Sequence, residues 1–167
     1  VVDDIQDASE ERRGGPTLHR THGLPVALNT GNWMYFVALE QIADLTTTDD
    51  VRRSLYEEAV RTMTRCHHGQ ALDISVHIGL LAHHEVGGVV TTTTLLKTGA
   101  LMGWAASSAA TTAEADPERI VALRQFGESL GTALQMFDDL SGLANPNRRH
   151  KGLEDLRGAR PTWAWAW

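Results

Sequence analysis

The run DPERIVALRQFGESLGTALQMFDDL, residues 116–140, decides the fold. It opens on Asp116-Pro117, an acid suited to an N-cap followed by a proline at the first helical position. Ile120, Leu123, Leu130, Leu134 and Phe137 then recur at helical steps, which predicts a long helix with a core-facing stripe. Gly127 and Gly131 lie one turn apart and predict close approach of a neighbouring helix. The run closes on Asp138-Asp139. Carboxylates at a helix C-terminus oppose the helix dipole, and a feature that costs stability points to function. Asn145-Pro146-Asn147 ends the element.

Outward from this run the helical period persists. Leu24, Leu28, Met34, Phe36, Val37, Leu39, Ile42 and Leu45 predict one helix over 24–45. Thr46-Thr47-Thr48-Asp49-Asp50 is a polar break with good N-caps, and a second helix is expected from about Asp50 to His77. A short loop or joint over 78–85 leads to a third helix over 86–110. The four threonines Thr91 to Thr94 would be a strand signal elsewhere. Here small and apolar residues flank them, so they are read as helical. There is no repeat, no alternating strand pattern and no Rossmann glycine fingerprint. The expected class is all-α, a bundle of helices in which residues 1–167 form a single domain.

The 167 residues carry a formal net charge of -6, so no basic footprint argues for nucleic acid. An anionic substrate would need local cations to override that charge. Cys66 is the only cysteine, so no intrachain disulfide can form. No signal peptide or membrane span is legible, and a cytoplasmic protein is expected. The chain starts at Val1 and ends on three tryptophans in five residues; both ends read as cuts within something longer.

A second acidic cluster stands at the start. Asp3, Asp4 and Asp7 crowd three carboxylates together, with Asp3 and Asp7 on one face of any helix there. Hard oxygens of this kind suit Mg²⁺, which keeps several waters and also binds substrate phosphates. Arg12-Arg13 follow in a Gly/Pro turn, and paired guanidiniums match phosphate oxygens. An acidic helix end beside a basic turn is also what a solvated surface looks like. The spacing to the arginine pair favours the diphosphate clamp.

Taken together, these blocks resemble the trans-isoprenyl (polyprenyl) diphosphate synthase family. Asp3, Asp4, Asp7, Arg12, Arg13, Gly14, Pro16, Thr17 and His19 look like its first aspartate-rich motif. Gly69-Gln70-Ala71-Leu72-Asp73 and Lys97-Thr98-Gly99 resemble two later blocks. Phe126-Gly127, Leu130-Gly131 and Gln135 to Asp139 resemble the second aspartate-rich motif, and Lys151 to Asp155 with Arg160-Pro161-Thr162 the segment beyond. The resemblance implies the central portion of an isoprenoid synthase bundle, without its N-terminal and C-terminal helices. It implies that Asp3, Asp4, Asp7 and Asp138 bind Mg²⁺, with Asp139 in support. Arg12, Lys97 and Lys151 would contact an allylic diphosphate, Thr98 and Gln135 would line its site, and Arg13 would reach isopentenyl diphosphate. Asp3, Asp4, Lys97 and Gln135 are the implied catalytic set, and a homodimer is the implied assembly.

Two departures bear on mechanism. The second motif ends on Gly142 where the family has a third carboxylate, and Arg160 stands for a family lysine. The implied reaction is ionisation of the allylic diphosphate and head-to-tail condensation with isopentenyl diphosphate. A class I terpene synthase acting on one allylic diphosphate is the alternative enzyme, and a non-catalytic partner subunit is the alternative of another class. Cys66-His67-His68 and His83-His84 lack metal-ligand spacing and read as solvated or hydrogen-bonded histidines. Trp33, Trp104 and the terminal tryptophans read as core packing. Gln70 and Asp73 share a helical face as a polar pair.

Overall fold

The computed structural model describes residues 1–166; the side chains of Asn147, Arg149, His150, Lys151 and Glu154 are outside the description, as is Trp167. The chain divides into two compact units, Val1–Arg52 and Arg53–Trp167.

In the first unit, α1 (Val2–Gln6) leads into a hairpin of β1 (Glu11–Arg12) and β2 (Gly15–Pro16), then α2 (Leu18–His22) and α3 (Leu24–Ala43). The hairpin is a small correction to the expected absence of strands. Its register pairs Arg12 with Gly15, leaving Arg13 and Gly14 as the turn at φ +53° and +80°. Positive φ at both positions is the primed turn that matches strand twist, and glycine makes the second position cheap. Thr17 closes the base. Its backbone N–H donates to the Glu10 carbonyl at 3.0 Å and its buried hydroxyl to the Ser9 carbonyl at 2.9 Å. The α1 helix packs on α3 at Gly31, where a β-carbon would come 2.6 Å from Val2.

Helix α4 (Asp49–Ser75) starts in the first unit and continues through the second. A 3₁₀ turn at Ile78–Leu80 precedes α5 (His83–Thr94). The expected third helix begins three residues earlier than read, includes Thr91 to Thr94, and passes through a π-helical turn at Leu95–Gly99 into α6 (Ala100–Thr112). Helical periodicity does not signal such a turn, because one inserted residue leaves the apolar pattern intact on both sides. Next come α7 (Pro117–Ala144), a 3₁₀ turn at Pro146–Arg148, α8 (Arg149–Arg157) and α9 (Trp163–Ala166). Asp116 caps α7 as read, its carboxylate accepting from the Arg119 N–H at 2.9 Å.

The stripe on α7 differs from expectation. Leu123, Leu130, Leu134 and Phe137 are exposed in this chain, and the buried residues of α7 are Gly127, Gly131 and Gly142. Glycine explains it: a β-carbon at Gly127 would sit 2.5 Å from the Met102 carbonyl oxygen, so α6 and α7 meet backbone to backbone. Large side chains cannot occupy that seam. Trp33 is likewise 59% exposed rather than core. The second unit's buried apolar cluster is Ile78, Val86 and Val90, with Leu81, Trp163 and Ala166 against it.

Candidate functional site

Four elements of the second unit converge on one cleft. Asp73 comes from α4, Thr93 and Thr94 from α5, Lys97 and Thr98 from the π turn, and Gln135 and Asp139 from α7; Pro161 and Thr162 complete the lining. The π turn positions its cation. A β-carbon at Gly69 would come 2.5 Å from the Lys97 amide nitrogen, so only glycine on α4 lets the turn seat that closely. Lys97 Nζ then donates to Asp73 Oδ2 at 2.6 Å, and Arg160 Nη1 lies 3.6 Å from the same oxygen. Thr98 Oγ1 donates to Gln135 Oε1 at 3.2 Å. Gln135 Nε2 donates onward to Asp139 Oδ1 at 2.8 Å. The other Asp139 oxygen accepts the Trp163 backbone N–H at 2.9 Å, and the Trp163 indole donates to Thr94 Oγ1 at 3.0 Å. Lys97, Thr98 and Gln135, expected from sequence, are thus brought together.

Asp138 is placed differently. It is not in the lining; it accepts from Arg148 Nη2 at 2.6 Å, while Arg148 Nη1 donates to Ser141 Oγ at 3.1 Å. Lys151 lies on α8, and its side chain is outside the described residues. Asp73, Asp139 and Arg148 carry more of the network than their sequence signals suggested. Asp73 was marked by its family block and by a helical face shared with Gln70 but by no assigned role, and Arg148 only by a basic run.

In the first unit, Asp3 and Asp7 are half-buried on either side of Asp4, which is 5% exposed. Arg12 Nη1 donates to Asp4 Oδ1 at 3.1 Å, tying the hairpin to α1. Arg12 and Arg13 themselves are exposed, as a phosphate contact requires.

The donor chemistry of the first cluster fits Mg²⁺. Asp3 and Asp7 stand one turn apart with hard oxygen donors, and Mg²⁺ is commonly held by one or two carboxylates while waters and substrate phosphates complete its shell. Among the described residues no group of three or more His, Cys, Asp or Glu side chains is placed to hold a metal ion by itself. The second cluster does not fit: Asp138 holds a guanidinium at 2.6 Å that Ser141 anchors, both Asp139 oxygens accept N–H groups, and its third position is Gly142, whereas the guanidinium on Asp4 is that of exposed Arg12 at 3.1 Å. The histidine pairs carry no metal site either. His67, His68, His83 and His84 are exposed, and His67 Nδ1 lies 2.8 Å from the Met63 carbonyl. Burial pushes the Cys66 thiol up, against the opposing charge of Arg65, so it is not an activated nucleophile.

A polyprenyl synthetase family model matches residues 1–166. The chain belongs to the polyprenyl synthetase family. It is 33% identical over 148 residues to geranylfarnesyl diphosphate synthase of Natronomonas pharaonis, covering 88% of this chain and 42% of that protein. It is 29% identical over 152 residues to short chain isoprenyl diphosphate synthase of Methanocaldococcus jannaschii, covering 89% and 44%. The fold superposes on geranylgeranyl pyrophosphate synthetase from Pyrococcus horikoshii with a TM-score of 0.84 at 27% identity, covering 98% of this chain and 50% of that one. The chain therefore spans less than half the length of these two curated relatives. The all-α isoprenoid synthase architecture expected from the motifs is the architecture present. No helix among the described residues is long and apolar enough to cross a membrane.

Proposed function

We propose that the full-length protein is a trans-prenyltransferase that ionises an allylic isoprenoid diphosphate and condenses it head to tail with isopentenyl diphosphate. The supporting observation is that Lys97, Thr98 and Gln135, from two non-adjacent sequence blocks, meet in one polar cleft. Asp3, Asp4 and Asp7 are the proposed Mg²⁺ residues. Bound Mg²⁺ would supply positive charge to the diphosphate as its bond to carbon breaks.

The chain's own residues perform the rest. Departure of diphosphate builds negative charge on oxygen, and positioned cations stabilise that charge more than they stabilise the ground state. Lys97 is such a cation. Asp73 orients it, and substrate oxygens would compete with Asp73 for its protons. Thr98 donates to Gln135 at 3.2 Å, which orients the two side chains at the cleft where substrate would sit. Arg12 and Arg13 are assigned the diphosphates of the allylic substrate and of isopentenyl diphosphate. Lys151 belongs to the same assignment, and a homodimer to the same proposal.

The test is incubation of the full-length protein and Mg²⁺ with geranyl or farnesyl diphosphate, with and without isopentenyl diphosphate. Longer diphosphates formed only when both substrates are present support the proposal. Hydrocarbons or alcohols from the allylic substrate alone would replace it with a terpene synthase. No turnover of either substrate would leave only a non-catalytic role.

A further inference from the structure

The second acidic pair is built unlike a metal site, and three observations agree on it. Asp138 Oδ1 receives Arg148 Nη2 at 2.6 Å, and Ser141 Oγ steadies the same guanidinium through Nη1 at 3.1 Å. Both oxygens of Asp139 receive neutral donors, one from the Gln135 amide and one from the Trp163 backbone. The third motif position, Gly142, is buried at the approach of α7 to α8. A β-carbon there would touch the Gly152 α-carbon and nitrogen at 3.4 Å, an ordinary contact, whereas a β-carbon on Gly152 would collide with the Gly142 carbonyl oxygen. The backbone of α8 therefore lies against position 142, where a third carboxylate side chain would begin.

We infer that Asp138-Asp139 carries no metal ion in this protein and that Arg148 supplies the positive charge at that position. Physically, Mg²⁺ gives up its waters reluctantly and gains little from one carboxylate that already holds an anchored guanidinium at 2.6 Å; the guanidinium on Asp4 is that of Arg12, at 3.1 Å and 57% exposed, and can turn to a diphosphate instead. Mg²⁺ would also have to strand Arg148, which is 37% exposed and half sheltered against α7. A guanidinium keeps its charge at every accessible pH and presents several donors, so it can neutralise Asp138 and still offer N–H groups to a diphosphate. The metal requirement then falls on the first cluster, Asp3, Asp4 and Asp7. The inference rests on the magnesium reading of that cluster.

The experiment counts bound Mn²⁺, a paramagnetic stand-in for Mg²⁺, on the full-length protein by electron paramagnetic resonance with inorganic diphosphate present. Wild type is compared with Asp3→Asn, Asp138→Asn, Arg148→Met and Arg148→Lys, each checked for native circular dichroism. Asp138→Asn should bind as many Mn²⁺ ions as wild type, with affinity within about twofold, whereas Asp3→Asn should lose at least about tenfold in affinity. Arg148→Met should gain a Mn²⁺ ion by removing the guanidinium from Asp138 Oδ1, and Arg148→Lys should not. Loss of a Mn²⁺ ion in Asp138→Asn would overturn the inference while leaving the magnesium reading of the first cluster intact. Binding unchanged by Asp3→Asn would overturn that reading, and the inference with it.

Discussion

Asp3-Asp4 and Asp138-Asp139 are the same dipeptide in different surroundings. The first pair sits on a five-residue helix ahead of a two-residue turn, with exposed arginines close behind it. The second sits near the end of a 28-residue helix, where Arg148, Gln135 and the Trp163 backbone take up its oxygens. Two adjacent acids are therefore not one kind of site. What surrounds them differs: Asp4 of the first pair holds the exposed Arg12, whereas the second pair joins helices. In the second unit the carboxylates act as joints: Asp139 links α7 to α9, and Asp138 links α7 to the turn before α8.

The contrast can be broken most directly by activity. Asp3→Ala in the full-length enzyme should cut prenyl transfer by about 10²–10³-fold or more, the scale of removing a transition-state charge stabiliser. Circular dichroism should stay native, because deleting one of three clustered like charges relieves repulsion. Asp4→Ala should lose activity similarly and cost stability by less than about 1 kcal/mol, since Arg12 is exposed and rehydrates. Near-normal turnover in either variant would remove the first cluster from the metal site.

Stability should respond in the opposite region. Asp139→Ala leaves the Gln135 amide and the Trp163 N–H without their charged acceptor, and about 2–3 kcal/mol should be lost in urea unfolding. If Asp3→Ala lowered the urea midpoint as much, the two pairs would have the same structural role and the contrast would fail.

Gly69→Ala sharpens the comparison by testing how tightly the second region is framed. Its new methyl must push the Lys97 turn away from α4, which should cost about 1–3 kcal/mol. Substrate KM should rise with it, because Lys97 moves. An unchanged KM would separate the turn's packing from its role at the cleft. The smallest effect is expected at the start of the helix that carries the second pair: Asp116→Ala removes the N-cap and should cost about 1 kcal/mol in the same measurement.

Much of this was legible beforehand, for identifiable reasons. The α7 start was readable because Asp116-Pro117 is a local signal, satisfied within one turn. The helices at 24–45 and 50–77 were readable within two residues from their periodicity and the threonine break. The grouping of Lys97, Thr98 and Gln135 came from the resemblance of their blocks. The π turn was not legible, since the residue its backbone seats against, Gly69, lies on another helix. The direction of the α7 stripe was misread for the same kind of reason. Apolar spacing shows that a helix has a hydrophobic face, and only the α6 backbone shows which face of α7 is the close one.

The local order of turns and caps therefore specified an all-α chain, the family and the residues to suspect. Those properties depend on neighbours within a turn or two, or on motifs read in order. Tertiary structure alone decided which groups take up the second of the two acidic pairs. That outcome depends on Arg148 and Trp163 reaching the second pair across loops and helix packings to which no residue spacing is bound.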